Sequence, residues 1–118
     1  MNRKKQALYE ARARILKALA HPTRLMLVDA LSKRPRCVCE LTALAGADMS
    51  TVSKHLAILK AAGIVQDEKR GAQVYYHLRC RCILGFFDCV EAVLKQVAQE
   101  QLALARPPRR RGGRRVRA

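Results

Sequence analysis

The feature that most constrains this chain is a pair of short helical patterns separated by a tight turn. Apolar residues recur at helical spacing over about residues 38–45, and Gly46 suits the left-handed residue that ends a helix. Asp48 is a good N-cap for the next helix, whose apolar positions recur at three- and four-residue steps until Gly63. Two helices joined in this way predict a helix-turn-helix.

Further elements flank this pair on both sides. The patterns predict a helix over residues 7–20, a second that begins at Pro22 and ends before Pro35, and a last helix over residues 83–105. A change to a period of two predicts a β-hairpin, residues 65–69 and 73–78, around Arg70-Gly71-Ala72. The fold class is therefore mainly α with a small β-hairpin: a winged helix-turn-helix of five helices. The terminal helices have wider apolar stripes than a small core needs, which predicts a homodimer interface.

Charge divides the chain into a domain, residues 1–105, and an arginine-rich tail, residues 106–118, that we expect to be disordered. The formal charge is +15; the tail holds seven arginines and no acid, and the domain has a net charge of +8. A basic domain fits a polyanion, either nucleic acid or membrane lipid. Charged residues interrupt any N-terminal signal, and no run of about 18 apolar residues could span a bilayer, so we expect a cytoplasmic protein with no membrane partner.

Polar side chains on the predicted fourth helix are candidates for DNA contact. Away from its apolar stripe, this helix carries Ser50, Thr51, Ser53, Lys54 and His55, and the hairpin tip adds Lys69 and Arg70. Hydroxyls, a lysine and an imidazole can donate to phosphates and base edges in a major groove wide enough for a helix. The alternative is an ordinary solvated face.

Three segments carry a resemblance to a known family. Residues 16–25, 50–56 and 59–65 resemble, in this order, the ArsR/SmtB metalloregulatory repressors. The resemblance covers about residues 7–97 and implies a homodimeric winged-helix repressor of an operator, released when an inducer binds. It also implies that the fourth-helix residues named above contact DNA. Met49 departs from the pattern, because many relatives have a polar residue there.

Cysteine spacing suggests the inducer. In a reducing compartment the five cysteines are better explained as metal ligands or redox thiols than as structural disulfides. Cys37-Val38-Cys39-Glu40-Leu41 resembles the CVCDL motif of arsenic- and cadmium-sensing members. A helix N-terminus, with Arg34 and Arg36 nearby, would stabilise thiolates, which are soft ligands. As(III) and Sb(III) favour three sulfurs, whereas Cd(II), Pb(II) or Zn(II) can use three or four. The alternative is two small core thiols.

The geometry of this pair and its third partner are open. Residues two apart on a helix point about 200° apart, so both thiols can bind one ion only if the turn unwinds or the helix begins later. The remaining thiols, Cys80, Cys82 and Cys89, could join the pair, form a separate site, or reach across a dimer. Cys89 alone could equally be a core residue.

Two other functions compete with this interpretation. A thiol-redox-sensing repressor is the main rival, since both Cys-X-Cys pairs could form disulfides. A constitutive architectural DNA binder is a third possibility, favoured by the tail. We expect no enzyme, because Ser53 and His55 diverge on their helix and no phosphate loop or HExxH motif occurs. The last helix has Asp88 and Glu91 but no histidine, which argues against a zinc site there.

Overall fold

A computed structural model describes residues 2–106, and the predicted five helices and hairpin are confirmed in that part of the chain. The helices are α1 Arg3–Leu19, α2 Pro22–Leu31, α3 Val38–Ala45, α4 Met49–Ala61 and α5 Ile83–Ala105. The strands are β1 Arg36–Cys37, β2 Val65–Arg70 and β3 Gln73–Leu78. The predicted tail lies outside the described residues except for Arg106. None of the helices described is both long and apolar enough to cross a membrane.

The sheet has one strand more than the predicted hairpin. Its order is β1-β3-β2, and both neighbouring pairs are antiparallel. In β1, Arg36 lies opposite Tyr76 and Cys37 opposite Tyr75. A two-residue strand is too short to show a period in the sequence, which is why it was not predicted. It holds the first cysteine of the pair in the same sheet as the hairpin.

Local chemistry determines where the central helices begin and end. Gly46 has a φ of 64°, a left-handed conformation that costs glycine little, and its N–H donates to the Thr42 carbonyl. The Asp48 carboxylate then accepts the Thr51 N–H at 2.7 Å and caps α4. Both predicted signals are confirmed. At the start of α2, Pro22 follows an N-cap His21 whose Nδ1 accepts the Thr23 N–H at 3.0 Å.

The chain divides into two compact units, one ending at Arg81 and the other beginning at Cys82. The first unit has a core of aliphatic side chains from α2, α3, α4 and β2. Its fully buried members are Leu27, Val28, Leu31, Leu41, Val52, Leu56, Leu59 and Val65. In the same unit α1 exposes Leu8, Tyr9, Ile15 and Leu16. The second unit contains α5, which has no buried residue and exposes Phe86, Val90, Val93 and Leu94.

Candidate nucleic-acid interface and thiol site

The exposed face of α4 carries most of the residues predicted to contact DNA. Ser50, Thr51, Ser53 and Lys54 are exposed, whereas Val52 on the opposite face is buried in the core. The Asp48 carboxylate orders the first turn by accepting the Thr51 N–H and, at 2.9 Å, the Ser50 hydroxyl. These hydrogen bonds lower the pKa of Asp48, so the cap stays ionised at neutral pH. The first turn of α4 is thereby held in place for a surface ligand.

His55 occupies a different environment from the other α4 residues predicted to contact DNA. Its ring is partly buried and lies against the His21 ring, with centroids 4.3 Å apart. Its Nδ1 is buried without a hydrogen-bond partner among the described residues. Burial, followed by the proximity of His21 and Arg24, lowers the pKa of His55. The imidazole therefore forms part of the joint between α2 and α4, and it is neutral at physiological pH.

The predicted wing residues lie at the tip of the hairpin and are exposed. Arg70 is already engaged there: its guanidinium stands 4.7 Å from the Tyr75 ring centroid and 3.3 Å from the Glu68 carboxylate. Lys69 precedes it at the end of β2. A second ion pair, Lys60 to Asp67 at 3.0 Å, joins the end of α4 to β2. The wing is therefore fastened to the helix beside it.

The first two cysteines line one cavity of about 280 Å³. Cys37 ends β1 with an extended backbone, ψ 163°, and α3 begins only at Val38. The angle expected between residues two apart on a helix consequently does not apply to this pair. Of the two arrangements foreseen from the sequence, the late start of the helix is the one observed. Cys37 is buried and Cys39 is exposed.

The remaining walls of this thiol cavity come from α4 and the hairpin, which are the elements predicted to contact DNA. Met49 and Ser53 contribute from the first turns of α4, Ala72 contributes from the hairpin turn, and Gln73 and Val74 contribute from the start of β3. Met49 was noted in the sequence only as a departure from the family pattern, and its place in this cavity was not predicted. The available signal was an apolar side chain at the first position of a helix whose outer face is polar.

Arg34 and Arg36, which were expected to stabilise the thiolates, pair with the Glu40 carboxylate. This carboxylate accepts the Cys37 N–H at 3.2 Å and pairs with Arg34 at 2.6 Å. Arg36 lies 3.9 Å from the same carboxylate and donates its Nε–H to the Ala30 carbonyl. The Arg34 hydrogen bond, followed by that from Cys37, lowers the pKa of Glu40 to about 2. The two arginines thus bind Glu40, and Glu40 in turn holds Cys37, the last residue of β1 before α3 begins.

The other cysteines lie away from this cavity or in the second unit. Cys37 faces Tyr75, and β3 runs on to Leu78, three residues and about 10 Å further along the strand. Cys80 follows two residues later, where Arg81 donates to the Ser32 carbonyl at 2.8 Å. Cys82 precedes α5 and Cys89 lies on it, both exposed. Over residues 2–106 no three His, Cys, Asp or Glu side chains gather as a metal site.

Together, α3 and α4 with the tight turn between them, the hairpin and the antiparallel sheet define a winged helix-turn-helix protein. A model described as "Bacterial regulatory protein, arsR family" matches residues 21–67. The chain is 30% identical over 100 residues to the HTH-type transcriptional regulator Rv0081 of Mycobacterium tuberculosis. The matched region covers 84% of this chain and 88% of that protein. This chain belongs to the ArsR family.

Further comparisons agree on the fold and differ in extent. The HTH-type transcriptional repressor SmtB of M. tuberculosis is 44% identical over 69 residues, 58% of this chain and 51% of that protein. The chain thus spans about half the length of that relative. The crystal structure of Rv0081 superposes with a TM-score of 0.73, covering 80% of this chain and 96% of that one. The homodimeric winged helix-turn-helix DNA-binding domain of Mycobacterium bovis Mb0332 superposes with a TM-score of 0.68 at 29% sequence identity, covering 92% of this chain and 97% of that one.

Proposed function

We propose that this protein is a transcriptional repressor that binds operator DNA as a homodimer and releases it when a thiophilic ion binds Cys37 and Cys39. The observation that carries the proposal is the shared cavity: its walls are the thiol pair, the first turns of α4 and the turn of the hairpin. An ion held there touches the elements that would contact DNA. Relatives named as transcriptional repressors support the DNA half of the proposal.

DNA binding follows from the exposed face of α4. Ser50, Thr51, Ser53 and Lys54 would lie in a major groove, where Lys54 supplies a phosphate contact and the short hydroxyls reach base edges or phosphates. Lys69 at the hairpin tip would contact the backbone beside the groove. The exposed apolar faces of α1 and α5 are the surfaces that a second copy would cover, and a homodimeric relative supports this assembly.

Among thiophilic ions, we propose As(III) or Sb(III) as the inducer. Arsenite would form two S–As bonds with the pair, and two As–O bonds would break as two waters leave with the thiol protons. The third oxygen would stay on arsenic, because the cavity offers two thiols. Cd(II), Pb(II) and Zn(II) are the other ions that such thiolates bind.

Release requires that the ion bind the DNA-incompetent form more tightly than the DNA-bound form, because a ligand shifts an equilibrium only by its differential affinity. Ser53 provides a physical route, since it both lines the cavity and lies on the exposed face of α4. Displacing this side chain or the hairpin turn would alter DNA contacts directly.

The test uses a DNA fragment that the protein itself selects from a random library. The assay measures release of this fragment from the protein. Sodium arsenite should lower the fluorescence anisotropy of labelled DNA with the wild type and with Cys89→Ser, the matched control. Cys37→Ser and Cys39→Ser should still bind DNA and should not release it. Release from both of these variants would contradict the proposal. Release by diamide without any ion would favour the redox-sensing alternative.

A further inference from the structure

We propose that Met49 supplies a third sulfur to the thiol cavity, so that the site also takes a soft monovalent cation, Cu(I) or Ag(I). This inference rests on the proposed function, because it uses the same pair of thiols. It adds a ligand residue on α4 and a second chemical class of inducer.

The placement of Met49 is the first argument. It is the first residue of α4, and its side chain lines the cavity together with Cys37 and Cys39. About half of the side chain is exposed, so the flexible thioether is not fixed in the core and can change rotamer at little cost. A cavity of about 280 Å³ exceeds the roughly 30 Å³ that one water molecule takes up in the liquid, which leaves room for an ion and this movement.

The donor set is the second argument. Two thiolates and one thioether form a sulfur-only site, and thiolate and thioether sulfurs are the soft ligands that select Cu(I). A thioether carries no proton and no charge, so it cannot replace an oxygen of arsenite as a thiolate does. The carboxylate nearest the pair, Glu40, is held by Arg34 and the Cys37 N–H. The third position is therefore better suited to a cation that accepts a neutral sulfur.

Coordination by Met49 would join the two helices of the helix-turn-helix through the ion. The thiols lie at the start of α3, and Met49 directly follows Asp48, the cap of α4. A shift of Met49 towards the thiols moves the residue adjacent to that cap. The exposed first turn of α4, with Ser50 and Thr51, would move with it.

The test compares Met49→Leu with Met26→Leu, which removes a thioether from α2 instead. Anaerobic Cu(I) affinity is measured by competition with bathocuproine disulfonate, and X-ray absorption counts the sulfurs on the bound copper. We expect three sulfurs in the wild type and in Met26→Leu, and two in Met49→Leu with at least tenfold weaker binding. Met26→Leu, whose side chain does not line the cavity, should release DNA with arsenite as the wild type does.

Other outcomes separate this inference from the proposed function. Three sulfurs and unchanged affinity in Met49→Leu would overturn it, since the third donor would be another residue. An equal loss of a sulfur and of copper affinity in Met26→Leu would also overturn it, because the effect would then not depend on the position of Met49. A wild type that responds to arsenite but does not bind Cu(I) refutes this inference alone, whereas a wild type that responds to neither refutes the proposed function.

Discussion

Two leucines on α3 provide a direct test of how the core holds the first helix of the helix-turn-helix. Leu41 is fully buried, whereas Leu44, one turn later, is 53% exposed. Leucine and alanine both favour helices, so truncating either residue leaves the helix propensity nearly unchanged. The difference between the two variants should therefore report the packing of α3 in the core.

The expected magnitudes follow from these exposures. Leu41→Ala removes buried methyl groups and leaves a cavity, at a cost of about 2.7–5 kcal/mol. Leu44→Ala removes a half-exposed side chain and should cost less than about 1 kcal/mol. Since about 1 kcal/mol shifts the Tm of a 60–100-residue domain by about 4–8 °C, Leu41→Ala should lower it by more than about 10 °C.

Thermal and urea unfolding followed by circular dichroism, at one protein concentration, would measure both variants. Leu41→Met, which approximately conserves volume, is the control for the site itself and should cost less than about 1.5 kcal/mol. Equal losses in Leu41→Ala and Leu44→Ala would refute the reasoning, because α3 would then not be held by the core contact described above.

Three further outcomes concern pH and salt. The pKa of His55 in the folded protein is below its ordinary value of 6.5, so the unfolded chain binds this proton first and the free energy of unfolding falls as pH drops below 6.5. His55→Gln should weaken this pH dependence, measured by urea unfolding at pH 7.5 and 5.5. An unchanged dependence would exclude His55 as its source. Lys54→Ala should reduce the slope of log affinity against log salt by about one, while Lys4→Ala on α1 should leave it unchanged. Deletion of residues 109–118, which hold six arginines, should flatten the same slope; an identical slope would show that the tail makes no phosphate contacts.

The two helices of the helix-turn-helix could be predicted because their ends depend on local chemistry. Gly46 and Asp48 act within one turn of themselves, and both perform the predicted roles. The first helix was predicted to begin at residue 7, but it begins at Arg3, because Asn2 caps it by accepting the Lys5 N–H. An asparagine so close to the start of the chain precedes any apolar repeat that would identify it as a cap.

The thiol site was less predictable because its shape depends on long-range pairing. The extended backbone of Cys37 comes from the pairing of β1 with β3, between residues about forty positions apart. The same register places Cys80 beyond the end of β3, away from the pair, which spacing alone could not reveal. The contact between His21 and His55, like the inclusion of Met49 in the cavity, depends on how separate elements pack.

The short strand β1 has a consequence for where the chain tolerates a change in length. Arg36 pairs with Tyr76 and Cys37 pairs with Tyr75. Successive residues of a strand point to opposite faces, so inserting one residue between Arg36 and Cys37 would shift the register and turn Cys37 to the other face of the sheet. The hairpin turn at Gly71 carries no such parity, because it joins β2 to β3 through exposed residues. A reporter built from this domain would therefore keep the residues just before the thiol pair at their present number.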